Sequence, residues 1–316
     1  MRNQSRWLFL LLLFVLAVLP NNREVIAQSN GGAGAPQPPM AEKKTKTTNI
    51  HGTTLVDDYF WLREKANPAV LSHLQAEDAY TQAVMKPTEA LQEKLYKEML
   101  SHIKQTDTNV PYRAGNHFYY TRTEEGKQYP IFCRKKDSLE APEEIVIDVN
   151  EMAKGQKFMS VGLFLPSDDG NLLAYSTDNT GYRQYVLQVK DLRTGQILPE
   201  RIERVTSFAW ANDNKTFFYV TEDPVTKRSD KFFRHVLGTD KMDLVYDEKD
   251  ELFDIGTGRS RDKAVIFLEA FSKTSTESRY LRADDPNGTL KVILPRQPEH
   301  EYDDKTDSLT DPRPAF

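Results

Sequence analysis

Residues 167–198 read SDDGNLLAYSTDNTGYRQYVLQVKDLRTGQIL. A polar turn opens the stretch and a bulky strand follows. A second turn leads to a second strand, and a Gly-containing turn ends in a short apolar strand. The same grammar recurs three more times. It appears at 114–136 (AGNHFYYTRTEEGKQYPIFCRKK), at 211–239 (ANDNKTFFYVTEDPVTKRSDKFFRHVLGT) and at 260–294 (SRDKAVIFLEAFSKTSTESRYLRADDPNGTLKVIL). With Asn116, Asp168, Asp213 and Asp262 as equivalent points, the spacings are 52, 45 and 49 residues. A period of this size with about four strands per unit is the signature of a β-propeller blade. Each blade is a small twisted sheet with two faces to bury, and it buries them on its neighbours. The spacing predicts Asp191–Gly195 as a tight turn between outer strands, and Phe208 and Trp210 at the end of an inner strand. A β-sandwich or meander is the competing architecture for such a pattern.

Upstream of the repeat the period changes. Asn67-Pro68 is a helix start, with Asn as N-cap and Pro at the first helical position. Pro87 breaks that helix, and Thr88 is placed to cap a second. There Leu91, Leu95, Met99 and Ile103 recur at i, i+4, i+8 and i+12. Just before lies HGTTLVDDYFWLRE (51–64), whose three adjacent aromatics Tyr59, Phe60 and Trp61 cannot share one face of a regular element. It reads as an irregular extended lead-in, with Asp57 and Asp58 satisfying turn or helix-start amides.

The chain begins MRNQSRW, followed by the 13-residue apolar run from Leu8 to Pro20. That run is short for a membrane span, which needs ~20 residues. Arg2 and Arg6 before it and Val25-Ile26-Ala27 after it describe a secretory signal cleaved after Ala27. The expected location is therefore exported, periplasmic or extracellular, with no stable membrane insertion. The formal net charge is -5, and without residues 1–27 there remain 39 basic and 46 acidic side chains. Such a chain has no general attraction for phosphate backbones, so nucleic acid is not an expected partner. Cys133 is the only cysteine, so an internal disulfide is excluded.

The expected organisation is a signal peptide at 1–27, a flexible linker at 28–48, a helical segment at 49–108, an incomplete propeller of about four blades at 109–298, and an irregular tail at 299–316. The sequence holds no Gly-x-Ser-x-Gly elbow. Gly258-Arg259-Ser260-Arg261-Asp262 fails at its last position and sits at a predicted β-turn. There is no His-Glu-x-x-His helix and no Walker lysine. His51, His73, His102, His117, His235 and His300 show no ligand spacing. Asp168-Asp169-Gly170-Asn171 resembles part of a calcium loop but lacks the downstream Glu, so turn chemistry is the better reading. Asn214-Lys215-Thr216 and Asn287-Gly288-Thr289 fit the glycosylation pattern at predicted turns. Lys227-Arg228 reads as a solvated basic pair. No catalytic, cofactor-binding or metal-binding residue is assigned, and no cofactor is expected.

HGTTLVDDYFWLRE, followed by NPAVLSHLQAEDAYTQAVM, resembles the N-terminus of the prolyl oligopeptidase family of serine peptidases, closest to its oligopeptidase B (protease II) branch. VPYRAGNHFYYTRTEEGKQYPIFCRK, SFAWANDNKTFFYVTEDPVT, FRHVLGTDKMDLVYDEKDELF and VILPRQPEHEYD continue the resemblance in order, over Thr45 to Tyr302. It implies a helical N-terminal segment that packs on a catalytic domain, then a propeller that admits oligopeptides by size. It further implies a C-terminal α/β-hydrolase domain whose Ser, Asp and His triad cleaves after Lys or Arg. No position here matches the triad motifs, so that domain is expected to be absent and the chain inactive alone. The other function class is a non-enzymatic exported propeller that binds a peptide or protein partner. In the family Trp61 and its neighbours face the catalytic domain, so part of that stretch is expected to be exposed here.

Overall fold

The computed structural model describes residues 34–302. The expected signal peptide at 1–27, the start of the linker and residues 303–316 of the tail lie outside the described residues. The chain divides into two compact units, one ending at His102 and one beginning at Ile103. Among the described residues no helix is long and apolar enough to cross a membrane.

In the first unit, β1 (Lys46–Ile50) and β2 (Thr53–Asp57) pair as an antiparallel hairpin. Its two-residue turn has φ 51 at His51 and 79 at Gly52, the left-handed pair that the twist of a short hairpin requires. Ordered structure therefore starts inside the stretch expected as linker. The Thr residues at 47 and 48, opposite Val56 and Leu55, make the Lys/Thr run strand-competent. A 3-10 turn, Phe60–Arg63, leads to α1 (Pro68–Met85) and α2 (Glu89–Ser101). Asn67 caps α1 as expected, its side chain accepting from the Ala69 N–H at 3.0 Å. Thr88 does not cap α2. Residues Lys86–Thr88 are already in a 3-10 turn, and the Thr88 hydroxyl donates back to the Met85 carbonyl at 2.7 Å.

Trp61 departs from expectation as well. It is only 8% exposed, and its indole N–H donates to the Glu42 carbonyl at 2.8 Å. The Lys44 ammonium stands 4.5 Å from the ring centroid. Asp58 holds the covering segment in place, accepting from the Lys44 N–H at its carbonyl and from the Thr45 hydroxyl at its carboxylate. Tyr59, in contrast, is 42% exposed. Val70 is the only buried residue of α1, and α2 has none. The stripe read from the sequence is real but uncovered, since Leu91, Leu95 and Met99 are 55%, 46% and 61% exposed.

The second unit is the propeller. β3 (Tyr112–Ala114), β4 (His117–Arg122), β5 (Ile131–Lys136) and β6 (Glu144–Asp148) form its first sheet. A short helix, α3 (Val149–Met152), leads to β7 (Ser160–Pro166), β8 (Leu172–Asp178), β9 (Val186–Asp191) and β10 (Ile197–Glu203). The third sheet is β11 (Val205–Trp210), β12 (Thr216–Glu222), β13 (Ser229–Val236) and β14 (Met242–Asp247). The fourth is β15 (Asp254–Arg259), β16 (Val265–Phe271), β17 (Thr276–Arg282) and β18 (Lys291–Leu294). All four are antiparallel meanders in which each strand pairs only with its chain neighbours. This is the blade pattern read from the repeat, and it excludes a sandwich with crossing connections.

The cores lie between sheets. Val146, Ile147, Met159, Leu173 and Tyr175 fill the first interface. Ala174, Leu187, Val189, Phe208, Trp210, Phe217 and Tyr219 fill the second. Phe218, Val220, Phe232, Ile255, Ile266, Leu268 and Leu281 fill the third. β12 shows why its sequence is an unbroken apolar run: Phe217 and Tyr219 face one neighbouring sheet, and Phe218 and Val220 face the other.

Candidate functional site

In a four-stranded meander the turns after the first and third strands lie at one end, and the turn after the second lies at the other. The first-to-second turns of the four sheets are the four repeat signatures of the sequence. The structure brings them together at one mouth of the propeller. A Cβ on Gly115, between β3 and β4, would stand 3.1 Å from the carbonyl oxygen of Asp168, between β7 and β8. The Asp168 N–H donates to Asn214 Oδ1, between β11 and β12, at 2.8 Å.

The turns of the second, third and fourth sheets are each built by their own polar residues. Asp169 accepts from the Ser167 hydroxyl at 2.6 Å and the Asn171 N–H at 3.0 Å. Asp213 accepts from the Lys215 and Thr216 N–H groups. Asp262 accepts from the Ser260 hydroxyl at 2.6 Å and the Ala264 N–H at 3.0 Å. Turn chemistry thus accounts for Asp169, as expected. Ser260 is consumed in the same way and is buried. The structural equivalents are Asp169, Asp213 and Asp262, one residue off the register that began from Asp168.

That shift frees Asp168. Its carboxylate accepts from Arg259 Nη2 at 2.8 Å and from Lys263 Nζ at 2.6 Å, both from the fourth sheet. Arg259 also donates to Asn212 Oδ1 of the third sheet. Arg134 of the first sheet donates to the Gly170 carbonyl of the second at 2.7 Å. Burial alone would raise the Asp168 carboxyl, but the two cationic donors outweigh it and hold it below the usual carboxylate range. Gly170 has φ 70, and a Cβ there would meet the His117 ring at 2.8 Å. Between the first two sheets this mouth holds a cavity of about 200 Å³, lined by Tyr112, Gly115, Phe164, Pro166, Asp168 and Lys263 among others.

The opposite end differs in chemistry. Tyr182 at the β8–β9 turn, Val225 at the β12–β13 turn and Leu252 before β15 are 78%, 85% and 78% exposed. Phe158 and Phe271 stand at that end too and are also exposed. A polar cavity of about 450 Å³ lies there, lined by Asp223, Thr226, Lys227, Arg228, Asp230, Glu251 and Asp254. Arg228 is not the solvated side chain that its sequence suggests. Its guanidinium donates to the carbonyls of Asp250 (3.2 Å), Phe253 (3.0 Å) and Glu248 (3.1 Å), pinning the link between the third and fourth sheets. Nothing local in the sequence names those carbonyls as its partners.

Among the described residues no group of three or more His, Cys, Asp or Glu side chains is placed to hold a metal ion. His235 is buried with Nδ1 3.0 Å from the Lys241 carbonyl, and His73 lies 3.7 Å from Glu77.

Comparison with known proteins fits this architecture. Residues 38–310 match the family model described as the prolyl oligopeptidase N-terminal beta-propeller domain. The chain is 39% identical over 290 residues to dipeptidyl aminopeptidase BI of Pseudoxanthomonas mexicana, covering 85% of this chain and 40% of that protein. It is 32% identical over 275 residues to protease 2 of Moraxella lacunata, covering 84% and 40%. The solved structure of oligopeptidase B from Leishmania major superposes with a TM-score of 0.81 at 30% identity, covering 86% of this chain and 42% of that one. The chain spans about 40% of the length of the curated relatives it matches. Four antiparallel blades, their shared turn signatures and the match over most of the chain place it in the prolyl oligopeptidase N-terminal β-propeller family.

Proposed function

We propose that this chain is the propeller-bearing N-terminal part of an exported oligopeptidase B-like serine peptidase. The complete enzyme hydrolyses oligopeptides after Lys or Arg, and the propeller admits substrates by size. The nucleophile, base and acid belong to a catalytic domain. The sequence described here has no Gly-x-Ser-x-Gly elbow, so the chain alone has no activity. Export rests on the basic, apolar and small-residue succession of residues 1–27.

One observation carries the reading: large apolar side chains are solvent-facing on two surfaces of a chain whose sheets are otherwise well packed. In the helical unit these are Leu91, Leu95 and Met99, and in the propeller they are the loop tips Tyr182, Val225 and Leu252. Along one face of α2 and at one end of the propeller, these exposed apolar side chains are the surfaces proposed for a partner. A catalytic domain is the partner proposed for each of these surfaces, each taken by itself. The propeller's part in the reaction is then exclusion. An extended peptide passes the mouth, and folded proteins are kept from the catalytic groups.

The test is reconstitution. The purified chain is assayed on an Arg-containing fluorogenic peptide, alone and mixed with the separately produced catalytic domain of a relative. Turnover only in the mixture, abolished by a serine-directed inhibitor, is the expected result. Turnover by the chain alone would overturn the inactivity, and failure of the two parts to associate would overturn the assignment.

A further inference from the structure

We propose that Asp168 sets the width of the propeller's polar mouth, acting as an ionic latch between non-adjacent sheets. The inference rests on the reading above, in which peptides pass this opening. Asp168 sits in the β7–β8 turn, and both its cationic partners sit at the β15–β16 turn, two sheets away. Arg259 Nη2 at 2.8 Å engages Oδ2, and Lys263 Nζ at 2.6 Å engages Oδ1. The same carboxylate therefore draws the second and fourth sheets across the third. The third sheet is clasped in the span: Asn214 Oδ1 receives the Asp168 N–H, and Asn212 Oδ1 receives Arg259. Arg134 brings in the first sheet through the Gly170 carbonyl.

The apolar cores hold the sheets face to face along their lengths, but they do not fix how closely the turn tips approach. At the tips the sheets are joined by these polar contacts. The cavity between Tyr112, Gly115, Pro166, Asp168 and Lys263 leaves room for the turns to move. The latch is accessible to salt, because the Asp168 and Lys263 side chains are 28% and 47% exposed. Screening of partly exposed charges weakens such contacts. Asp168 is a positioning residue for the substrate-admitting mouth and touches no reacting atom.

The experiment measures the mouth directly. Spin labels are placed at Asn116→Cys and Arg261→Cys, exposed positions on the first and fourth sheets, in a Cys133→Ala background. Pulsed dipolar spectroscopy then reads the distance between them. The expected result is a single narrow distribution at low salt. Asp168→Asn should give a broader distribution centred at longer distance, and Asp168→Glu should keep the narrow one. The unsubstituted latch in ~1 M NaCl, where the screening length is about 3 Å, should move toward the Asp168→Asn distribution. Identical distributions for wild type and Asp168→Asn at both salt concentrations would overturn the proposal. If Asp168→Asn does not fold, the wild-type salt series decides alone: no change with salt overturns it. The readout requires no catalytic domain. A failed reconstitution with an intact latch therefore overturns the peptidase reading only, and an unresponsive distance overturns the latch only.

Discussion

The indole nitrogen of Trp61 donates to the backbone carbonyl of Glu42 at 2.8 Å, across a segment that composition describes as linker. The ring is thereby buried by its own chain. Its fluorescence should be blue-shifted relative to exposed tryptophan. Trp210 and Trp7 are removed as Trp210→Phe and by starting the chain at residue 34, so that Trp61 reports alone. Starting it at residue 45 removes Glu42 and Lys44 and should red-shift the emission. A spectrum unchanged by that deletion would show that other residues bury the ring.

Phe217 and Phe218 are adjacent on β12, are fully buried and belong to different inter-sheet cores. Truncating either leaves a large cavity. Phe218→Ala should cost about 3–5 kcal/mol in urea unfolding of the chain, and Phe217→Ala a similar amount. Val225→Ala, at an exposed loop tip, should change stability by less than about 0.5 kcal/mol. Comparable losses at all three positions would contradict the blade assignment.

The blades were legible for a physical reason: a sheet buried on both faces writes its strands as apolar runs, and its turns need Asp, Asn, Ser and Gly at fixed offsets. Asp169, Asp213 and Asp262 follow that local rule. Asp168 does not, because its partners Arg259 and Lys263 lie 91 and 95 residues away, and no local pattern encodes a contact across a third sheet. Arg228 reads as solvated for the same reason, since backbone carbonyls leave no signature in side-chain sequence. Trp61 is buried against expectation for the opposite reason: a polar, Lys-rich segment is ordered when its backbone groups find partners.

Arg228 offers a test of how the third and fourth sheets are joined. Replacing it with Ala leaves the carbonyls of Glu248, Asp250 and Phe253 without its N–H donors. The loss should be about 1–3 kcal/mol. Arg228→Lys, which cannot reach three carbonyls with one planar group, should recover only part of it. Hydrogen exchange should accelerate at residues 248–254 in both variants and stay unchanged in the first sheet.

The Asp168 contacts predict a pH dependence with a definite sign. The folded-state carboxyl is held below its ordinary value of 3.8 despite the opposing effect of burial. Its contribution is therefore fully present above that value and is lost as pH falls through the lower, folded-state value. The stability gap between wild type and Asp168→Asn should be constant from pH 7 to about pH 5 and shrink progressively below about pH 4. A gap that widens on acidification would mean that the carboxylate is not stabilised by Arg259 and Lys263.

The last prediction separates folding from assembly in the helical unit. Leu91, Leu95 and Met99 lie on one face of α2, and no α2 residue is buried. Replacing all three with Gln removes apolar surface that the chain itself does not use. Thermal stability of the chain should therefore change little, because Gln is as good a helix former as Leu or Met to within a few tenths of a kcal/mol per residue. Association with a catalytic domain should weaken, and by about 2 kcal/mol or more at any of the three positions that is a central anchor. At that size a single anchor changes the dissociation constant about 30-fold. Titration calorimetry reads the association and a melting curve reads the fold. A variant that melts early would show that the stripe packs within the chain, and one that binds as well as wild type would place the partner elsewhere.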